Sequence, residues 1–107
     1  MGALNFRSRL APYIIGLIEQ TRALGYKYTA QVKILQKFDM LCAERFSEDS
    51  TVTKAMLDVW AVKGPEEAPG TLRHRVTVIA HLAQHIASLG FYAYIYPTNE
   101  LPKEPKY

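Results

Sequence analysis

The chain has 107 residues, 49% of them apolar, and a single cysteine, Cys42. This length and apolar fraction suffice for one domain with a real core and argue against global disorder, while a lone cysteine excludes an intramolecular disulfide and a cysteine-based metal site. No apolar run approaches the ~18 residues of a membrane span and no signal-peptide pattern opens the chain, so we expect a soluble, cytoplasmic protein without a membrane partner.

The net charge of +3 decides little alone, but the charges are unevenly distributed. Residues 1–46 carry seven Lys and Arg against three acids, residues 47–70 carry two against five, and residues 71–90 carry two Arg, three His and no acid. Two basic segments separated by an acidic one indicate a surface with a basic side, as an anionic partner requires. Ordinary solvated charges explain the same distribution about equally well.

Apolar residues at helical spacing predict four helices joined by loops, an all-α bundle. The first helix is predicted over residues 9–24, with Pro12 near its first turn and Gly25 as its C-terminal stop. The second is predicted over residues 30–46, with Thr29 as its N-cap.

A shorter third helix is expected after Thr53, which serves as its N-cap, and it ends at about residue 62. Its tryptophan, Trp60, has the spacing of a core residue rather than of a base-stacking platform. The loop 64–70 contains two prolines and two glycines, which rule out helix continuation.

The fourth helix is predicted to begin at Gly70 or Thr71 and to end at Gly90, and its two faces differ. The apolar face consists of Leu72, Val76, Ile79, Leu82, Ala83, Ile86 and Leu89. The polar face consists of His74, Thr77, His81, Gln84, His85 and Ser88, with Arg73 at its edge. The helix start is a good anion site, because unpaired N–H groups and the helix dipole favour negative charge and guanidinium groups bind phosphate bidentately. Arg75 lies nearer the apolar stripe and can instead reach around a neighbour with its aliphatic stem.

The outer side of the second helix carries a similar band, formed by Thr29, Lys33, Gln36 and Lys37. Phosphate contacts use this mixture of hydroxyl, amide and amine groups. Lys33 and Lys37 stand four residues apart with no acid alongside, and such a pair is mildly self-repelling on an isolated helix. The band is therefore a second, weaker indication of an anionic partner.

No nucleotide-binding or nucleophile-elbow signature occurs in the sequence, so we do not expect catalysis by this chain alone. His81 and His85 are four residues apart and could reach one zinc ion, but Leu82 replaces the Glu of an HExxH motif and no acid or cysteine joins that face. We expect neither a metal nor a cofactor, and the histidines are either hydrogen-bond donors to a partner or simply exposed.

Residues 91–96 are rich in aromatic side chains and could either pack on the bundle or form a short extended strand. The proline-punctuated residues 97–107 are typical of a linker leading out of the domain. The expected organisation is thus a helical domain over residues 1–96 and a linker over residues 97–107.

Two runs resemble the N-terminal core-binding domain of the tyrosine recombinase (phage integrase) family. Residues 24–29, LGYKYT, with the apolar positions that follow them, resemble the run that opens that domain. Residues 71–76, TLRHRV, continuing to residue 90, resemble its last helix, and residues 96–97 lead into a linker of the kind that precedes the catalytic domain. The resemblance implies a SAM-like four-helix bundle that forms half of a clamp around double-stranded recombination-site DNA of a mobile element, with self-association of the full-length protein on DNA.

In that family the starts of the second and fourth helices contact DNA. By position these contacts correspond to Lys27, Tyr28, Thr29 and Lys33, then Thr71, Arg73, His74 and Thr77; the charge and helix geometry add Lys37 and His81. Tyr28 stands where the family commonly has Ser. The catalytic arginines, the His-x-x-Arg box and the nucleophilic tyrosine belong to a second domain that this sequence lacks, so the resemblance implies DNA binding without strand cleavage.

Two alternatives remain at this stage. A helical protein-interaction or oligomerisation module would use residues 91–96 as its adhesive edge and would depend on Tyr94 or Tyr96. A metal-binding regulator that uses the histidines is a more distant third.

Overall fold

The computed structural model describes residues 6–62 and 64–97, and all regular secondary structure within these ranges is helical. The helices are α1 (Ala11–Ala23), α2 (Thr29–Arg45), α3 (Lys54–Trp60) and α4 (Pro69–Ser88). The prediction of four helices in an all-α arrangement is confirmed. Within the described ranges, none of these helices combines the length and the apolar character needed to cross a membrane.

Glycines end the two helices at which the sequence predicts them. Gly25 has φ +101° and Gly90 has φ +94°, a conformation that costs a residue with a Cβ atom free energy. After α1, the N–H of Gly25 donates to the carbonyl of Arg22 at 3.0 Å and the N–H of Tyr26 donates to that of Thr21 at 3.4 Å. This pair of bonds is a Schellman motif, and the same pair closes α4 around Gly90.

The helix starts agree with the sequence less well. Thr53 does cap α3, because its Oγ1 accepts a bond from the N–H of Met56 at 3.3 Å. The prediction that Thr29 caps α2 is wrong: Tyr28 occupies the N-cap position without a side-chain bond, and Thr29 is already helical. Helix α4 begins at Pro69, earlier than predicted, because the fixed φ of proline and its missing N–H suit the first helical position.

Helix α4 is the longest element, and both α1 and α2 pack against it. The backbone of α1 approaches α4 closely at Gly16, where a Cβ atom would lie 3.4 Å from Nε2 of His85. Trp60 is a core residue, as expected, with its ring edge-on to Phe38 at a centroid distance of 5.1 Å. Cys42 is fully buried as well, and burial together with the nearby carboxylate of Asp39 raises the pKa of its thiol to about 12.

The segment after α4 turns back onto the bundle without forming a strand in its described part, residues 91–97. The N–H of Tyr94 donates to the carbonyl of Val52 at 2.9 Å, and Thr51 Oγ1 donates to the carbonyl of Tyr92 at 2.6 Å. Of the two alternatives for this segment, packing on the bundle is therefore the one observed. The predicted linker beyond Pro97 lies outside the described residues.

The two types of glycine should respond oppositely to alanine. Gly16→Ala is expected to raise the free energy of unfolding by about 0.5–1 kcal/mol, because alanine favours a helix interior and the half-exposed His85 ring can accommodate the new methyl group. Gly25→Ala is expected to lower it by about 1 kcal/mol, because its positive φ is unfavourable for alanine. Urea denaturation measures both; destabilisation by Gly16→Ala would show that the approach of α1 to α4 tolerates no side chain.

Candidate nucleic-acid interface

The predicted contact residues of α2 and α4 meet in two grooves. Tyr28, before α2, lines one of about 400 Å³ together with His81 of α4. Lys37, further along α2, lines another of about 350 Å³ together with Thr71 and His74 near the start of α4. The two helices therefore run antiparallel along this side of the bundle, and one surface contains both grooves. We call it the α2–α4 face.

Most of the predicted residues have side chains that a partner could reach. Those classed as exposed are Lys27, Thr29, Lys33, Lys37, Thr71, His74 and His81. Those half-buried are Tyr28, Arg73 and Thr77. Arg73 also takes part in an interaction within the chain, so the lysines of α2 are the clearer cationic probes of this face.

The described stretches that contribute most of α2 and all of α4, residues 20–43 and 68–97, contain no exposed acid. The only acid in residues 20–43 is Asp39, which is 2% exposed, and residues 68–97 contain none. Glu67, which lines the groove at the start of α4, bonds to Arg75. Within these two stretches, no exposed carboxylate therefore offsets the positive charge of Lys33 and Lys37.

Arg75 lines the groove at the start of α4 and holds the loop before that helix through bonds within the chain. Its Nε lies 2.7 Å from Glu67 Oε2, and its guanidinium also donates to the carbonyls of Trp60 and Val62. The guanidinium carbon lies 5.1 Å from the centroid of the Trp60 ring, and Trp60 Nε1 donates in return to the carbonyl of Arg75 at 3.0 Å. The side chain thus reaches around a neighbour, as expected, and holds the end of α3 and Glu67 together. We call this set of contacts the Arg75 clamp.

Tyr28 departs from an ordinary contact residue in its backbone and its burial. Its φ is +61°, and it is the only described residue other than glycine with a positive value. Such a conformation is uncommon for a bulky side chain and marks a constrained position. Burial raises the pKa of its phenol, so the hydroxyl stays protonated at neutral pH and remains a hydrogen-bond donor.

The histidines of α4 do not form a metal site with their neighbours. His81 and His85 line the same groove, but no group of three or more His, Cys, Asp or Glu side chains placed to hold a metal ion occurs among the described residues.

Sequence reasoning missed a buried polar group that anchors the chain before α1. Asp39 accepts bonds from the N–H of Arg7 at 2.7 Å, the N–H of Ser8 at 2.9 Å and Ser8 Oγ at 2.6 Å. Its signal was present: Asp39 stands between Phe38 and Cys42, on the side of α2 that the sequence assigns to the core. A carboxylate at a core position needs hydrogen-bond donors from elsewhere in the chain, and residues 7–8 provide them.

Comparison of the chain with protein-family models, with curated proteins and with solved structures finds no match.

Proposed function

We propose that this chain is a helical, SAM-like DNA-binding domain of the core-binding type found in tyrosine recombinases, and that it contacts recombination-site DNA through the α2–α4 face. The observation that carries the proposal is the combination of exposed lysines on α2 with the absence of exposed acids from the described residues 20–43 and 68–97. The start of α4, where the positive end of the helix dipole favours an anion, borders the same surface at Thr71 and His74. The antiparallel packing of the helices supports the proposal, because it puts the start of α4 beside Lys37 of α2.

The geometry favours duplex DNA read mainly through its phosphates. Lys33 and Lys37 are about one helical turn apart, about 6 Å along the helix axis, so two ammonium groups are presented to one DNA backbone. Thr29, Thr71 and His74 add hydroxyl and imidazole groups, which position a protein on the backbone without reading sequence. Cleavage is not part of the proposal, because the resemblance assigns strand cleavage to residues of a second domain.

The proposal is tested by the salt dependence of binding to a short duplex. Lys33→Ala combined with Lys37→Ala should weaken binding at low salt and reduce the slope of log K against log salt concentration by about 2, since each lost phosphate contact removes about one released counterion. The measurement is fluorescence anisotropy with a labelled duplex over a series of salt concentrations.

A matched control removes the same charge elsewhere. Arg45→Ala combined with Lys54→Ala also lowers the net charge by two, but Arg45 lies in the last turn of α2 and Lys54 is paired with Asp58 on α3. This control should keep the wild-type slope. If the two double variants change the slope equally, binding follows net charge and the assignment of the α2–α4 face is wrong.

A second candidate function is favoured by one observation, the exposure of large apolar side chains after α4. Phe91 is 55% exposed, Tyr92 76% and Ile95 44%, whereas Tyr94 and Tyr96 pack against the core. A protein-interaction module would therefore depend on Phe91 and Tyr92, and not on the two tyrosines that the sequence suggested. Light scattering on Phe91→Ala and Tyr92→Ala separates this candidate from DNA binding, since neither residue belongs to the α2–α4 face.

A further inference from the structure

The turn between α1 and α2 holds two large apolar side chains out in solvent. This turn, residues 24–28, is here called the α1–α2 corner. Leu24 is 73% exposed and Tyr26 is 66% exposed. Neither contributes to the core, so the stability of the bundle does not account for their size. Apolar side chains grouped at an exposed turn are typical of a contact surface.

The corner is a constrained turn. The two Schellman bonds at Gly25 and Tyr26 close its first half. Arg22 Nε donates to the carbonyl of Lys27 at 3.1 Å and ties its second half back to α1. A contact surface that is ordered before binding loses less conformational entropy when the partner arrives.

A cleft of about 300 Å³ lies in the corner, and its lining combines four kinds of group. It is formed by Thr21, Tyr26, Lys27, Tyr28 and Gln31. Two aromatic rings offer flat apolar surface, a hydroxyl and an amide offer donors and acceptors, and an ammonium group stands at the side. Base recognition outside a duplex uses aromatic stacking together with hydrogen bonds to the base edge, and a lysine then meets the adjoining phosphate.

We propose that this cleft binds one unstacked nucleobase of the bound DNA, with Tyr26 as the stacking surface and Lys27 on the adjoining phosphate. The inference rests on the proposed function, because Tyr28 lines both this cleft and a groove of the α2–α4 face. The positive charge around the cleft favours a polyanion as the partner. Arg22, Lys27 and Lys33 are exposed, and the one acid in residues 20–43 is buried. Thr21 and Gln31 suit the polar edge of a base better than a lipid chain.

The test compares two duplexes that differ only in one unpaired adenine. The wild-type chain is expected to bind the duplex with the unpaired base at least about fivefold more tightly than the fully paired one. This factor corresponds to the smallest free energy typical of a base stacked on an aromatic ring. Tyr26→Ala should abolish this preference without changing the salt slope, because the ring is uncharged. Tyr26→Phe should retain it.

Matched controls identify the source of any change. Tyr92→Ala removes an equally exposed tyrosine far along the chain and should keep the preference. Lys33→Ala should weaken binding to both duplexes by the same factor. Tyr26 is exposed, so Tyr26→Ala should melt within about 2 °C of wild type.

Three results would overturn the proposal. Equal affinity of the wild-type chain for the two duplexes, or a preference that survives in Tyr26→Ala, shows that the cleft takes no base while leaving binding to the paired duplex, and hence the proposed function, intact. If Tyr26→Ala loses binding to phosphatidylserine vesicles but keeps the wild-type affinity for both duplexes, the corner contacts a membrane surface and not a base. By contrast, failure to bind either duplex removes the proposed function itself, and the base site with it.

Discussion

Asp39→Ala is expected to lower the free energy of unfolding by about 3 kcal/mol. The carboxylate is 2% exposed and accepts three hydrogen bonds, from the N–H groups of Arg7 and Ser8 and from Ser8 Oγ. A hydrogen bond to a charged group contributes about 1.5–3 kcal/mol, and a buried donor left without an acceptor costs about 1–3 kcal/mol. The expected loss is smaller than the sum of these terms, because alanine also removes a carboxylate whose burial is itself unfavourable.

The structural consequence is the release of the chain before α1. Ser8 Oγ also accepts a bond from the N–H of Leu10, so Asp39 and Ser8 together satisfy the polar groups at the point where α1 begins. Asp39→Asn keeps one carbonyl oxygen and should cost about 1–2 kcal/mol, roughly half as much. Urea denaturation followed by circular dichroism measures both losses, and amide hydrogen exchange at Ser8 and Leu10 should speed up in Asp39→Ala.

Glu44→Ala is the matched control, since Glu44 is an exposed acid on the same helix. Its effect should remain within about 0.5 kcal/mol. A combined Ser8→Ala and Asp39→Ala variant should be less destabilised than the sum of the two single changes, because the side chains share one bond. Strict additivity would mean that the Ser8–Asp39 bond does not contribute to stability.

The helices themselves followed from the sequence because their signals are local. The spacing of apolar residues gives the buried face of α2 and α4, and a glycine that must adopt positive φ gives the end of α1 and of α4. The starts were harder to predict. A proline such as Pro69 can lie in a loop or at the first position of a helix. The packing of the turn that follows it determines which of the two occurs.

The candidate site was predictable only one helix at a time. Each polar row follows from helical geometry, but the antiparallel packing that brings Lys37 beside Thr71 and His74 depends on contacts between distant parts of the chain. The bonds of Asp39 and of Arg75 were missed for the same reason. Asp39 bonds to a backbone group 31 residues away, and Arg75 to one 13 residues away. The spacing of residues in the sequence does not predict pairs at such separations.

Arg75→Ala should destabilise the domain by about 2–3 kcal/mol. The clamp joins the end of α3 to the start of α4 through Glu67 and the carbonyls of Trp60 and Val62. The side chains of Arg75 and Glu67 are only 19% and 14% exposed, so removing one partner leaves the other charge poorly solvated. The emission of Trp60 should shift to longer wavelength, because its ring loses the guanidinium that covers it.

Arg75→Lys separates charge from geometry. Lysine keeps the positive charge but has three donors on one nitrogen instead of a planar fork, so it cannot reproduce the four bonds of the guanidinium, and most of the loss seen for alanine should remain. Lys54→Ala is the contrasting control: its ion pair with Asp58 is 69% and 61% exposed, and its removal should cost no more than about 0.5 kcal/mol.

The same variants decide whether Arg75 acts on DNA directly. As a clamp it touches no phosphate, so Arg75→Lys should keep the wild-type salt slope in duplex binding, and any loss of affinity should come from a less ordered start of α4. A contact residue would behave in the opposite way, with the slope reduced by about 1 in Arg75→Ala and stability nearly unchanged. Because Arg73 stands two residues earlier on the same helix, the pair Arg73→Ala and Arg75→Ala tests this division between partner contact and internal support: we expect the larger change of slope in the first and the larger change of stability in the second.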